Sequence, residues 1–311
     1  MMASGSSATL DAPVAARPIR LPRWSVGLFL LLPAVAFLVV FLVIPSLTLL
    51  SYSVLTQSAA GDVGLPFSVS GYGRLLLTPA YQRVTVLTLK IALLTSLFTA
   101  LLAYPLAMVI AYGHSALSRL TMMLVVAPLV VSVVVRTYGW QLLLGSGPNG
   151  VVNWALGLFG LGQVSLQILY TEWAVVVASV HVFLPLMVLP IATSLSRISP
   201  SLNEAARMLG ASAFRAFLRV TLPLSVPGLA VGLTIVFSLT AASYVTPQML
   251  GGPRGLMLGI LLEQQVTTVF DWPMGSAIAT LMVVIALGAH IGVTWMLNRR
   301  RAAVPAAQGE A

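Results

Sequence analysis

Long apolar segments constrain this chain more than any other feature of its sequence. Six segments each hold roughly 20 or more mostly apolar residues, the length that crosses the hydrocarbon core of a bilayer. Hydrophobic residues make up 59% of the chain and charged residues only 7%, whereas a soluble domain usually carries about 25% charged residues. So few charges would not cover a water-facing surface. The sequence therefore predicts an all-α integral membrane protein with six transmembrane helices.

The six predicted spans divide the chain into a membrane domain and two tails. The spans cover residues 24–50, 84–112, 120–144, 172–195, 226–250 and 273–297. The first is too long for a signal-peptide core and lacks a clear cleavage site after it, so we expect a retained helix. The transmembrane domain is then 24–297, with tails at 1–23 and 298–311. An even number of spans places both termini on one side of the membrane.

Positive charge assigns that side, because cytoplasmic loops carry an excess of Lys and Arg. With the termini in the cytoplasm, eleven of the 16 cationic residues fall in inner segments. These are Arg17, Arg20, Arg23, Arg119, Arg197, Arg207, Arg215, Arg219, Arg299, Arg300 and Arg301. The outer five are Arg74, Arg83, Lys90, Arg136 and Arg254. We therefore predict an N-in, C-in topology, which also accounts for the net charge of +9 without nucleic acid.

Several kinds of chemistry lack the residues they need. The chain has no cysteine, which excludes disulfides and thiolate sites. His114, His181 and His290 lie far apart without metal-ligand spacing, so we predict no metal site. No Gly-x4-Gly-Lys-Ser/Thr sequence occurs, so the usual phosphate-binding loop of an ATPase is missing.

The outer connections contain short structural signals. Residues 51–83 and 145–171 are predicted to be long outer loops, with a short interfacial helix at 151–159 that carries Trp154. Residues 251–255 form a Gly- and Pro-rich turn. A short outer or re-entrant helix is predicted at 256–266, just before the sixth span.

The cytoplasmic segment 196–224, between the fourth and fifth spans, has the most specific local pattern. Ser201 and Glu204 have the spacing of a capping box, which predicts a helix that begins at Leu202. Gly210 is expected at the position just past the end of that helix. The predicted helix is about two turns long. A short, rigid helix between two spans can act as a lever for a partner protein.

The second half of this segment predicts another short helix. Ser212 can cap a helix through 214–220, and Pro223 is expected to break it before the fifth span. Ala205 and Ala206 have small side chains, which would let another surface approach the backbone closely. The local pattern by itself equally fits an ordinary amphipathic loop with routine capping.

The spacing of these residues resembles a known signature. Glu204-Ala205-Ala206, three residues, Gly210, nine residues and then Val220-Thr221-Leu222-Pro223 resemble the EAA motif of binding-protein-dependent ABC importer permeases. The family consensus has Ile at the position of Val220. The resemblance implies a type I ABC importer permease fold, with a coupling helix that docks on an ATP-binding subunit. The implied coupling residues are Glu204, Ala205, Ala206, Gly210, Leu222 and Pro223.

Three further stretches resemble the polyamine-type, PotB/PotH-like branch of that family. They are Arg136-Thr137-Tyr138-Gly139-Trp140, Val245-Thr246-Pro247 with Leu250-Gly251-Gly252-Pro253, and Asp271-Trp272-Pro273-Met274-Gly275. The resemblance implies a bacterial inner-membrane subunit that works with a sister permease, two ATP-binding subunits and an extracytoplasmic solute-binding protein. ATP and Mg²⁺ would bind the ATPase, with no cofactor on this chain. The implied cargo is a polyamine such as putrescine or spermidine, with opines, amino-phosphonates and other small solutes as alternatives.

Polar residues in or near the spans are candidates for the substrate path. The candidates are Arg136, Tyr138, Trp140, Tyr244, Gln248, Glu263 and Asp271. Tyr244 and Gln248 are four residues apart and share a face of the predicted fifth helix. Glu263 and Asp271 could attract a cation or dock the binding protein. Lys90 and Arg136 could instead extend to lipid headgroups, with Glu172 as an ion-pair partner for either.

Two other functions remain as alternatives. An intramembrane protease or lipid transferase would need converging catalytic groups, but His181 and His290 have no nearby carboxylate in the sequence. A self-sufficient ion-coupled carrier would transport without any ATPase partner.

Overall fold

The computed structural model describes residues 23–146, 150–159 and 166–302. Its contacts divide the chain into two units, residues 1–49 and residues 50–311. In the described part, five helices are long and apolar enough to cross a membrane, and the number is six if one bent helix pair counts as a single span. The predicted tails at 1–23 and 298–311 lie mostly outside the described residues.

The first unit is one apolar span with two α-helical parts. Helix α1 covers Arg23–Leu38, a π-helical turn follows at Val39–Val43, and α2 covers Ile44–Tyr52. All described side chains from residue 31 to 49 are exposed. Because those side chains are almost all apolar, this helix suits hydrocarbon rather than water. It corresponds to the predicted first span.

The second unit begins with a small outer subdomain where the sequence predicted a loop. Strands β1 (Leu55–Gln57) and β2 (Val63–Phe67) form an antiparallel hairpin, and helix α3 (Ser70–Leu77) follows. The Gln57 amide ties this hairpin to the last span: its Nε2 donates to Phe270 O at 2.9 Å, and its Oε1 accepts from Trp272 N at 3.0 Å.

Three long helices form the core of this unit. Helix α8 (Glu172–Leu195) packs against both α4 (Pro79–Tyr112) and α11 (Leu222–Ala241). Two glycines on α11 permit the close crossing: a Cβ on Gly228 would lie 2.5 Å from Ser194 Cβ, and one on Gly232 would lie 2.5 Å from Met187 Sδ. Small residues at this four-residue spacing let spanning helices pack backbone to backbone.

The third predicted span is not one helix. Helix α5 (Ser115–Val126) continues as a 3₁₀ turn at Ala127–Val130, and α6 (Val133–Leu143) then leaves at a bend of 103°. The prediction of a continuous helix over 120–144 was wrong. Pro128 lies in the tighter 3₁₀ turn, and Val131 takes an extended backbone that ends the helix.

The fifth predicted span was wrong at both ends. Pro223 does not break the preceding helix: α10 (Ala213–Ala216) continues through a π-helical turn at Phe217–Thr221 into α11. The wider π turn gives room for a proline ring that would clash in a regular helix. At the other end, α11 stops at Ala241, and α12 (Val245–Leu250) is a separate helix.

The remaining elements are two short helices, two turns and the last long helix. Helix α7 (Val151–Leu158) confirms the predicted short helix, and its Trp154 is exposed. After a 3₁₀ turn at Gly252–Gly255, α13 covers Leu258–Gln264 and confirms the short helix before the last span. A π turn at Gln265–Val269 leads to α14 (Trp272–Ala302), which contains the sixth span.

Candidate coupling surface and substrate path

The predicted coupling helix is α9, which covers Pro200–Met208 and so begins two residues earlier than predicted. Ser199 occupies the N-cap position without a side-chain cap bond, and its Oγ lies 2.7 Å from Ser201 Oγ. The predicted capping box at Ser201 was therefore wrong. Pro200 accounts for the earlier start, because its fixed φ and missing N–H favour the first helical position.

The end of α9 confirms the prediction for Gly210. This residue has φ +84°, and its N–H donates to Arg207 O at 2.9 Å. Ala211 N donates to Ala206 O at 3.0 Å. These two bonds form a Schellman motif, in which a glycine with left-handed backbone satisfies the last carbonyls of a helix. The second cap is also confirmed, since Ser212 Oγ accepts from Arg215 N at 3.3 Å.

The tip of this loop carries an exposed apolar surface that the motif did not indicate. Met208 and Leu209 are each 89% exposed, and Phe214 and Leu202 are also exposed. Glu204 and Ala205 are also exposed, whereas Ala206 is half-buried. Exposed apolar side chains at the end of a helix that the sequence places in the cytoplasm are typical of an interaction surface. The available signal was the apolar pair Met208-Leu209 directly before the helix-ending Gly210.

The C-terminal part of this loop, from Phe217 to Leu222, contacts the helix bundle. Thr221 is buried, and its Oγ1 donates to Asn203 Oδ1 at 3.0 Å, which joins α9 to the π turn. The ring of Phe217 packs edge-on against Tyr104 of α4, with centroids 5.3 Å apart. Sequence reasoning missed these links. Leu222 packs half-buried against the core, while Pro223 is exposed.

Span three carries the Arg136–Trp140 segment at its bend. Arg136 Nη2 donates to Val131 O at 3.2 Å, where the helix is interrupted. Its Nε and Nη1 atoms are buried without a hydrogen-bond partner among the described residues. Trp140 Nε1 donates to His181 Nδ1 at 3.2 Å, and Tyr138 is exposed. Trp140 and His181 line an apolar cavity of about 430 Å³ between α4 and α8.

Span five places its candidates at the interruption between α11 and α12. Tyr244 lies just before α12, and its O accepts from Gln248 N at 3.0 Å. Both side chains are exposed. They do not belong to the long helix on which they were predicted. Thr246 on the same short helix faces α6, where its Oγ1 lies 3.4 Å from Thr137 Oγ1.

The acidic candidates have different surroundings. Asp271 Oδ2 accepts from Arg74 Nη2 at 3.0 Å, and its Oδ1 accepts from Met274 N at 3.0 Å. Asp271 therefore forms an ion pair with Arg74 and also caps the N-terminus of α14. Glu263 is half-buried, and the Thr267 hydroxyl is shared between its backbone O at 2.8 Å and its Oε1 at 3.0 Å.

The predicted partner for Glu172 is confirmed as Lys90 rather than Arg136. Glu172 Oε2 lies 2.5 Å from Lys90 Nζ, which joins the first residue of α8 to the N-terminal half of α4. The described residues contain no group of three His, Cys, Asp or Glu side chains that could hold a metal ion. His290 lies on α14 beside Thr234 of α11, far along the chain from the Trp140–His181 pair.

Comparison with known proteins identifies the family. The family model described as "binding-protein-dependent transport system inner membrane component" matches residues 103–301. The chain belongs to this family. It is 31% identical over 265 residues to the spermidine/putrescine transport system permease protein PotB of Escherichia coli strain K12, covering 85% of this chain and 95% of PotB. The predicted family is thus confirmed.

Two solved structures of a bacterial alginate ABC transporter have the same fold. The transporter involved in import of the acidic polysaccharide alginate matches with a TM-score of 0.73 and 21% identity, covering 89% of this chain and 96% of the other. Its complex with an alginate pentasaccharide-bound periplasmic protein matches with a TM-score of 0.73 and 20% identity, covering 89% and 94%. This family member is therefore a multi-pass inner-membrane protein with the ABC importer permease fold. The N-in, C-in topology stays a prediction.

Proposed function

We propose that this chain is the permease subunit of an ATP-driven importer and forms, with a sister permease, the path for a small amine-containing solute. Putrescine or spermidine is the first choice of cargo. The observation that carries this proposal is the similarity to PotB, which extends over 95% of that permease. The complete machine would also contain two ATP-binding subunits and an extracytoplasmic solute-binding protein. A structural relative has been solved with its periplasmic protein, which supports that last partner.

The geometry of the coupling loop supports a mechanical role for this chain. The exposed surface at Met208, Leu209 and Phe214 offers an ATPase subunit an apolar docking site. A displacement of α9 would move the π turn through the Asn203–Thr221 hydrogen bond. The π turn continues into α11, which crosses α8 in close contact, so both helices would move with it. ATP and Mg²⁺ would bind the partner ATPase, and this chain would perform no covalent chemistry while the bundle alternates between outward and inward access.

Other cargoes and mechanisms make different predictions. An importer for opines, amino-phosphonates or another small solute would use the same machine, and the alginate transporter illustrates that the fold accommodates different cargo. An ion-coupled carrier would transport without an ATPase. The similarity to a subunit of an ATP-driven system favours the importer over the carrier.

Two experiments test the identity of the cargo: ligand binding to the cognate solute-binding protein, and uptake by the whole transporter. We expect putrescine or spermidine to raise the melting temperature of that binding protein. In proteoliposomes containing all subunits, uptake of the same amine should require both ATP and the binding protein. Stabilisation by an anion, with none by either amine, would contradict the amine assignment. Uptake without the ATPase would favour the carrier.

A further inference from the structure

An apolar groove runs along the first half of helix α8. Its volume is about 430 Å³, which is within the range of sites that hold small organic ligands. Phe98 and Leu102 of α4 line one wall, and Trp173, Val177 and Leu184 of α8 line the other. Leu102, Trp173 and Val177 are exposed, so the groove is open to whatever surrounds this chain.

Two contacts mark the depth of α4 and α8 in the membrane. At one end, Lys90 of α4 pairs with Glu172, the first residue of α8. At the other end, the hydroxyl of Tyr112, the last residue of α4, donates at 3.0 Å to the backbone O of Leu195, the last residue of α8. Between these contacts each helix rises about 33–35 Å, close to the hydrocarbon thickness of about 30 Å. The Lys90–Glu172 pair therefore lies at the level of one headgroup layer, the outer one in the predicted topology.

The groove matches one leaflet in depth. From Trp173 to Leu184 it follows α8 for about 16 Å, and half of the hydrocarbon core is about 15 Å. Trp173 directly follows Glu172 and is exposed, at the level where tryptophans of membrane proteins meet the headgroups. The groove thus begins at the headgroups and ends near the middle of the bilayer, which is the path of one acyl chain.

The Lys90–Glu172 pair offers both signs of charge at the headgroup end of the groove. The Lys90 and Glu172 side chains are 53% and 35% exposed. Lys90 Nζ donates to Glu172 Oε2, which leaves two of the three ammonium donors and the other carboxylate oxygen for a ligand. A zwitterionic headgroup carries a phosphate and an ammonium a few bonds apart, so its charges complement those of this pair.

We propose that this groove and the Lys90–Glu172 pair bind one phospholipid with a zwitterionic amine headgroup, such as phosphatidylethanolamine. Its phosphate accepts hydrogen bonds from Lys90 Nζ, and its ammonium donates to Glu172. One acyl chain fills the groove down to Leu184. Trp140 and His181 also line the groove, and Trp140 Nε1 donates to His181 Nδ1, so these two polar atoms bond to each other rather than to the ligand.

The groove suits a lipid chain better than an amine cargo. Its lining side chains include no carboxylate, so an ammonium that entered it would lose its water without gaining a counter-ion. An acyl chain loses no hydrogen bond there, and burial of its apolar surface against Phe98 and Trp173 is favourable. The lipid site is therefore independent of the proposed cargo.

The first test fills the groove in the complete transporter. The complex is purified in mild detergent, and the lipids that remain bound are counted by native mass spectrometry. Val177→Trp places a large ring in the groove, so we expect it to retain one phosphatidylethanolamine fewer than the wild type. Val284→Trp is the matched control, because Val284 is an exposed valine on α14 outside the groove, and it should retain the same lipids as the wild type.

The second test examines the headgroup. Delipidated complexes are mixed with equal amounts of phosphatidylethanolamine and phosphatidylglycerol that carry the same acyl chains. We expect the wild type to bind phosphatidylethanolamine about tenfold more, the effect of one hydrogen bond to a charged group. Glu172→Gln keeps an acceptor for Lys90 but removes the negative charge, so its ratio should fall to near one. Glu172→Asp should keep most of the preference.

Three outcomes would overturn the inference. The first is unchanged lipid retention in Val177→Trp, and the second is an unchanged headgroup ratio in Glu172→Gln, which is measured whether or not the groove-filling variant assembles. The third is efficient cross-linking of Leu102→Cys to the sister permease, because a protein helix would then occupy the groove.

Discussion

Replacing Gly210 by alanine tests whether the end of the coupling helix must adopt its left-handed backbone. Gly210 has φ +84°, and a Cβ added there meets no atom within 4 Å. The cost of alanine is therefore the conformational strain of the residue itself, about 1–2 kcal/mol. If the ATPase subunit binds only the correctly ended helix, its affinity should fall by at most about 5- to 30-fold.

Side-chain chemistry at position 210 should rank the variants. Asparagine tolerates the left-handed region better than alanine, and a β-branched residue tolerates it worse. We expect the affinity of the ATPase subunit for detergent-purified permease complexes to decrease in the order Gly, Asn, Ala, Val. The affinity is measured by titrating labelled ATPase subunit against each complex.

A matched control separates strain from the added methyl group. Gly73 lies in α3, and a Cβ there also meets nothing within 4 Å, but its backbone is helical. Gly73→Ala should leave ATPase affinity unchanged. If Gly210→Ala and Gly210→Val bound the ATPase as tightly as the wild type, the Schellman end of α9 would not matter for docking.

Three further predictions test packing, transmission and topology. Gly232→Leu should lower the yield of folded complex on size-exclusion chromatography, because the added Cβ would lie 2.5 Å from Met187 Sδ. Gly288→Leu is the control and should give a normal yield, because a Cβ at that position meets no atom within 4 Å. Equal yields from the two variants would contradict the close helix crossing. Thr221→Val loses the bond to Asn203, about 1 kcal/mol, and should reduce ATP hydrolysis stimulated by the loaded binding protein while ATPase binding persists. Unchanged stimulation would show that the Asn203–Thr221 hydrogen bond does not couple α9 to the helix bundle. Thr234→Val serves as the control, because it loses only a hydrogen bond within its own helix. A cysteine at Ala211 in this cysteine-free chain should react with a membrane-impermeant thiol reagent from the cytoplasmic side alone; labelling from outside would overturn the topology.

The coupling loop shows how far local sequence can predict structure. The stop at Gly210 and the cap at Ser212 were predicted correctly, because each depends on a few neighbouring residues with distinct backbone preferences. The start of α9 was not, because Ser199 and Ser201 are competing caps and Pro200 between them favours the earlier one. The hydrogen bond between Thr221 and Asn203 joins residues 18 positions apart, so it could not be inferred from the local sequence pattern.

The candidate path shows a different limit. The sequence selected Glu263, Asp271 and Tyr244 together because all are polar groups near outer helix ends. The structure separates them: Asp271 is held by Arg74 and the start of α14, whereas Glu263 has no basic partner among the described residues. Charge pairing depends on residues almost 200 positions apart, so only the fold could distinguish these two carboxylates.

The sequence alone determined that this chain crosses the membrane and where most spans lie, because the apolar length needed to cross a bilayer is a property of each segment by itself. It also identified the family through residues at fixed spacing in one loop. Only the tertiary structure revealed that the third predicted span is bent at Val131–Ser132, and that the fifth ends at Ala241 with α12 as a separate helix after Tyr244. Both breaks lie inside segments that the sequence predicted as single spans, because hydropathy averages over the few residues at each break. At the second break, Gly259 of α13 approaches Ser243 closely, and such a contact between elements exists only once the helices have packed.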